Sequence, residues 1–259
     1  MKNHPFHLVD KSPWPITGSI SMFILTSSGI MWMYKTMISM MILGLTIMLM
    51  TMHQWWRDTI RESTFQGMHT KKVTKSMKWG VMLFIISEAM FFLSFFWAFL
   101  HSSLSPSIEI GMQWPPLGIK TFNPMNIPLL NTTTLLYSGM TITWAHNSML
   151  NKNLSQTEQS MKITVILGIY FTMMQAYEYF ESNFSMSDSV YGSTFFMSTG
   201  FHGIHVLIGT SIIIIMTKRV TSLHFSSIHH MGFETAAWYW HFVDVVWLML
   251  YMMIYWWGS

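Results

Sequence analysis

The 259-residue chain contains no cysteine, which excludes a disulfide framework and thiolate metal ligation and leaves the redox compartment unmarked. Charge is scarce as well: 10% of residues are Asp, Glu, Lys or Arg, against 51% hydrophobic and 16% aromatic. That is too little polar surface to cover a soluble globule of this length, so the core has to be shared with lipid. Proline is missing from every long apolar stretch; Pro5, Pro13, Pro15, Pro106, Pro115, Pro116, Pro124 and Pro128 all lie outside them, as unbroken helices require. The opening MKNHPFHLVDKSPWPITGS lacks a basic region followed by an apolar stretch and a cleavage site, and carries Asp10 without any arginine. It reads as neither a signal nor a transit peptide. The basic residues are dispersed between apolar runs rather than gathered in one stripe, which argues against a nucleic-acid partner.

What is present is a succession of seven apolar runs, 16–34, 37–56, 79–100, 129–149, 163–180, 192–216 and 236–257. Each approaches or exceeds the ~20 helical residues that cross a hydrocarbon core about 30 Å thick. They predict an all-α, polytopic membrane protein, with residues 1–259 forming a single membrane domain. Only Lys35 and Thr36 separate the first two runs; one continuous helix there would strand Lys35 unpaired in mid-bilayer. With the N-terminus on one side, Lys2, Lys11, Arg57, Arg61, Lys71, Lys72, Lys75, Lys78, Lys152, Lys162, Lys218 and Arg219 face that side, and Lys35 and Lys120 the other. The asymmetry sets seven spans with the N-terminus inside and the C-terminus outside. Aromatic clusters at Trp55 and Trp56, at Trp238 to Trp240 and at Trp256 and Trp257 fall near run ends, as interfacial belts do.

Polar groups inside the spans carry the chemistry. Glu88 lies about ten residues, or ~15 Å, from the basic end of its run, near the midplane, where a lone carboxylate must be protonated, paired or turned to a polar cavity. Its neighbours in sequence are apolar apart from Ser87, which predicts a neutral acid. Glu178 and Glu181 sit near the end of the fifth run and are expected to snorkel to water. His241 and Asp244 are three apart on the last run and suit a structural hydrogen bond between helices. His202 and His205 are also three apart. His205 and His241 share a depth at which a haem or metal could bridge two helices, although HxxH without a third ligand is a weak motif, and Thr199 and Gly203 point to close helix packing on the same span. Between the second and third runs, QWWRDTIRESTFQGMHTKKVTKSMK reads as a polar loop whose Trp56, Arg57, Arg61, Glu62 and His69 suit phospholipid head groups.

Taken together, QWWRDTIRESTFQG, LFIISEAMFFLSFFWAFLHSSLSPS, WPPLGI, LLNTTTLL, ITWAH, YGSTFFMSTGFHGIHVLIG and HHMGFETAAWYWHFVDVVWLMLYMMIYWWGS resemble the subunit III family of cytochrome c oxidases in its animal mitochondrial form, over essentially the whole chain. The resemblance implies two-helix and five-helix groups around a lipid cleft, docked on the oxygen-reducing, proton-pumping subunit I. It implies that this chain is non-catalytic, supporting subunit I and proton uptake. Haems and copper would belong to partner subunits I and II, with small accessory subunits as further neighbours and no cofactor of its own beyond bound phospholipids of the phosphatidylethanolamine, phosphatidylglycerol and cardiolipin types. Position by position, Glu88 would be the buried acid beside the cleft. Trp56, Arg57, Arg61, Glu62 and His69 would line or cap lipid sites, and Arg219 with His224 would hold a cardiolipin-type head group. Met68 stands where many members have histidine and Ser222 where some have lysine. The 28 methionines fit an organelle-encoded chain in the mitochondrial inner membrane, with the N-terminus in the matrix and the C-terminus in the intermembrane space. A haem-bearing oxidoreductase and an ion-coupled transporter are the competing readings; the second would show broken helices or repeat symmetry, and the sequence shows neither.

Overall fold

The computed structural model describes residues 6–35 and 38–259, the side chain of Lys35 excepted. Among these residues seven long helices follow one another: α1 Trp14–Lys35, α2 Ser39–Thr64, α3 Lys71–Leu104, α4 Ile127–Leu150, α5 Leu154–Phe180, α6 Val190–Thr221 and α7 Met231–Leu250. The last continues as a π-helical stretch, Tyr251–Trp257, and there is no strand among the described residues. Of the Lys35 and Thr36 break expected between the first two helices, Thr36 lies outside the described residues. Local chemistry marks several ends. Asn153 caps α5 by accepting from the Gln156 N–H, Ser189 caps α6 by accepting from the Tyr191 N–H, and Pro128 occupies the first turn of α4, where its missing donor costs nothing.

The helices outrun the apolar runs at one end or both because amphipathic turns extend past the lipid-length core. The clearest correction is the polar loop expected from Gln54 to Lys78. Most of it is helical, α2 continuing to Thr64 and α3 starting at Lys71, with the reversal confined to the residues between them. Gly67 there takes a φ of 64°, a left-handed conformation that glycine adopts without steric cost.

Two compact units divide the chain, Met1–Met77 and Lys78–Ser259. In the first, α1 and α2 pair along their length. Trp14 Nε1 donates to Asp58 at 2.8 Å at one end, and a Cβ on Gly44 would stand 3.0 Å from the Leu25 backbone nitrogen further along. In the second, the part of α3 from Lys78 onward and α4 to α7 enclose an aromatic and aliphatic core including Phe99, Phe171, Phe195, Phe233, Trp240 and Trp247. Hydroxyl contacts stitch these helices together: Thr141 to Thr164 at 2.8 Å, Tyr179 to Thr199 at 2.7 Å, Trp240 Nε1 to Ser138 at 2.9 Å and Trp247 Nε1 to Thr132 at 3.0 Å.

By length and composition, α1, α3, α6 and α7 with its π-helical extension are apolar enough to cross a membrane. The remaining three have the length, 26, 24 and 27 residues, and their polar residues dilute the hydropathy. In α4 and α5 many of those residues face inward: Asn131, Thr134 and Ser138 on α4 and Thr157, Ser160 and Thr164 on α5 are buried. A helix that hides its polar groups against other helices presents an apolar surface to lipid whatever its average composition.

Candidate functional site

Glu88 stands on α3, half-buried rather than buried as expected, and it is not lone. Its Oε2 meets His205 Nε2 of α6 at 3.0 Å, while His205 Nδ1 lies 2.6 Å from the Phe201 carbonyl one turn back. With Nδ1–H donating to that carbonyl, Nε2 takes or gives the proton it shares with the carboxyl. Of the three fates open to an acid at mid-span, pairing is the one observed, and the apolar neighbours in sequence concealed a histidine 117 positions away. Rings surround the pair: Phe92 lies 5.0 Å from the His205 ring centroid, with Phe91 and Tyr239 close by. From Ala89 onward α3 borders a cavity of ≈ 740 Å³ completed by α7, with Phe92, Trp97, Phe242, Val246 and Met249 among its walls. Such a space is apolar and offers almost nothing to hold a polar ligand.

His202 is fully buried, its Nε2 3.2 Å from the Val243 carbonyl of α7. His241 and Asp244 make their contact within α7 rather than between helices, Nδ1 to Oδ2 at 3.8 Å. Asp244 instead abuts α4, where a Cβ on Gly139 would come within 2.8 Å of Oδ2. His205 and His241 thus have different partners, Glu88 and Asp244. Glu178 contradicts the snorkelling expectation: it is completely buried and neither carboxyl oxygen has a hydrogen-bond partner, whereas Glu181, the residue that caps α5, is exposed. One helical turn separates the polar end of α5 from a face that packs inward with Gln175.

In the first unit, a cavity of ≈ 190 Å³ at the α2 end is lined by Lys11, Trp14, Trp55, Asp58, Arg61 and Glu62, among others; of the five expected head-group residues Arg61 and Glu62 border it and Trp56, Arg57 and His69 do not. Trp55 rather than Trp56 borders that space; Trp56 is half exposed. Arg57 is occupied by Asp58 at 3.0 Å. The indole N–H of Trp14, with help from Arg57, holds the Asp58 carboxyl below its ordinary range despite some desolvation. Glu62 meets His7 at 3.4 Å, and the rings of His7 and His69 lie edge to face 5.9 Å apart; these three could together hold a metal ion. Arg219, in the last turn of α6, lies 4.3 Å over the Phe225 ring with its Nε buried and unpartnered. Its carbonyl accepts from the exposed His224 N–H. A second group able to hold a metal, His146, His230 and Glu234, was not foreseen; only its fold-dependent convergence reveals it.

The model of the family described as cytochrome c oxidase subunit III matches residues 4–259. The chain belongs to that family. Among curated proteins it is 60% identical over 257 residues to cytochrome c oxidase subunit 3 of Drosophila melanogaster and 61% identical to that of Aedes aegypti, in each case over 99% of this chain and 98% of the relative. The same subunit of Osphranter robustus is 58% identical over 258 residues, 100% of this chain and 99% of the relative. As a subunit III family member the chain is a component of the proton-pumping cytochrome c oxidase complex, a multi-pass protein of the mitochondrial inner membrane, with the other oxidase subunits as its partners. The transporter and haem-protein readings give way to this membership.

Proposed function

We propose that this chain is the lipid-holding, non-redox subunit of the oxidase: it packs phospholipid against subunit I, helps sustain proton uptake, and leaves haem and copper chemistry to subunits I and II. The observation that carries this reading is that each unit, taken by itself, holds a space suited to one part of a phospholipid. One is the apolar ≈ 740 Å³ space between α3 and α7 that starts one residue beyond Glu88. The other is the polar ≈ 190 Å³ cavity with Arg61, Lys11 and Trp55 on its wall. A phospholipid needs acyl-chain packing and a cationic, hydrogen-bonding head-group seat, the second of which interfacial Trp and Arg provide well.

On this reading Trp56, Arg57, Arg61, Glu62 and His69 serve phosphatidylethanolamine- or phosphatidylglycerol-type lipid, and Arg219 with His224 a cardiolipin. Arg219 supports it most directly, because its buried Nε has a donor to give. Glu88, held by His205 beside the apolar space, is the acid at the lipid site, and His202, His205, His241 and Asp244 are packing groups rather than ligands. The N-terminus faces the matrix and the C-terminus the intermembrane space, a reading the positive-inside asymmetry supports.

Extraction of lipid from the purified complex carrying Arg61→Gln or Arg219→Gln tests this. Each variant is expected to assemble with unchanged haem absorbance, to lose at least one phospholipid per complex, and to inactivate sooner under turnover. An unchanged lipid inventory in both would remove the head-group assignment.

A further inference from the structure

At the end of the second unit where α4 finishes and α7 begins, three potential ligands converge on one point. His146 comes from α4, His230 from the residue preceding α7 and Glu234 from the first turn of α7; one ligand atom from each lies within 4.8 Å of the others. Four features set the cluster apart from a casual surface grouping. His230 is buried and its Nδ1 lies 3.0 Å from the Ser226 carbonyl. Because a carbonyl can only accept, Nδ1 carries the proton, and the Nε2 lone pair is aimed into the cluster. This is the way outer-shell carbonyls orient metal-binding histidines. Both Nε2 atoms, of His146 and of His230, are buried without a hydrogen-bond partner, a costly state for two polar groups. The rings are locked edge to face, His146 to His230 at 5.4 Å, with Phe233 at 5.8 Å from His146. Finally, Glu234 Oε1 stands 3.9 Å from His230 Nε2, while its other oxygen is taken by Lys78 of α3.

We infer that His146, His230 and Glu234 form a binding site for a divalent transition metal of the zinc class. Two imidazole nitrogens and one carboxylate oxygen are a donor set that zinc accepts and that calcium and magnesium, which demand oxygen, do not. Tetrahedral ligation at roughly 2.0–2.2 Å separates ligand atoms by about 3.4 Å, so the three need to close by little more than an ångström, within reach of small side-chain rotations; water completes the fourth position. Lys78 is the competitor. Its ammonium neutralises the carboxylate that the metal needs, and zinc entry displaces it, exchanging an α3–α7 ion pair for an α4–α7 metal bridge. The site is therefore tuned to modest affinity and couples metal occupancy to how α3 is held at this end of the bundle.

The test is zinc alone added to the purified, chelator-washed oxidase complex, with metal counted per haem and located by anomalous diffraction. Zinc density bonded to His146, His230 and Glu234 is expected. Substituting His146→Asn should weaken that zinc by 10- to 100-fold, in line with loss of a metal-orienting or ligating group. Lys78→Gln, which leaves all three ligands in place, should tighten it by about tenfold because a like charge is removed from beside the ion. The opposite response of the two variants guards against a folding artefact, since misfolding would weaken both. Zinc found only at His7, Glu62 and His69 or on other subunits, or retained equally by both variants, would overturn the site. Neither result bears on lipid binding, so this inference and the lipid-holding reading fail separately.

Discussion

Trp240 is the side chain through which most of the second unit is joined, and changing the hollows that receive it measures how far that packing holds the unit together. It is fully buried on α7 and donates its indole N–H to Ser138 of α4 at 2.9 Å. Its benzo ring fills the space left by two glycines. A Cβ on Gly209 of α6 would lie 2.8 Å from Cε3 and 3.0 Å from Cζ3; one on Gly168 of α5 would lie 2.9 Å from Cη2 and 2.8 Å from the Thr210 hydroxyl. Carbon atoms do not approach this closely, so Gly209→Ala forces the ring or the helix to move, at about 1–3 kcal/mol. Alanine recovers at most ~1 kcal/mol of helix propensity, and overpacking wins. Trp240→Phe leaves a cavity and removes the Ser138 donor, costing roughly 2–4 kcal/mol. The double variant places the new methyl where the lost ring atoms were, so it should be less unstable than the sum by at least ~1 kcal/mol, within the coupling range of touching residues. The assay is retention of this chain in the purified complex across a denaturing-detergent series, comparing midpoints among the four forms. A Gly209→Ala midpoint equal to the parent, or strictly additive single effects, would refute the reasoning.

Two further outcomes are expected. Single cysteines introduced at Ser76 and Ser155, both exposed, should label from the matrix side and one at the exposed Ser107 from the opposite side, against a background free of native cysteine; labelling of Ser76 and Ser107 from one face would sink the orientation. Because His205 is engaged by Glu88 and His241 by Asp244, His241→Asn should disturb assembly more than haem absorbance, and selective loss of a haem band in a fully assembled complex would reinstate haem ligation by this chain.

The helix count was legible because lipid imposes a length on each span and no proline interrupts a span beyond its first turn. Helix ends were not, since α2 and α3 carry on through charged turns whose composition resembles a loop. The polar stretch after Trp56 shows why: Arg57, Asp58, Arg61 and Glu62 form an ordinary helical end with its charges paired or facing a small cavity. Polarity reported exposure there, not the absence of helix.

The site residues divide on the same physical line. Head-group candidates could be picked out because an interfacial tryptophan pair beside arginines is a local pattern. Glu88 could be flagged as needing a partner, but which partner depended on α6 lying beside α3. Glu178 was misread for a deeper reason. The buried stripe of α5 runs Thr157, Ser160, Thr164, Gly168, Phe171, Gln175, Glu178, spaced by three and four, while Ile166, Ile169 and Met173 of the same helix are exposed. In a soluble helix that periodicity would put the polar stripe outside. In lipid the solvent is apolar, small and polar groups mediate close helix contact, and the stripe turns inward. Position near a helix end therefore says little about snorkelling unless the residue also lies on the lipid-facing arc, and Glu178 does not. The same inversion explains His146 and His230: on a soluble surface two histidines beside an acid would be solvated, whereas here the bundle closes over their nitrogens and leaves two oriented donor atoms with no partner but a cation.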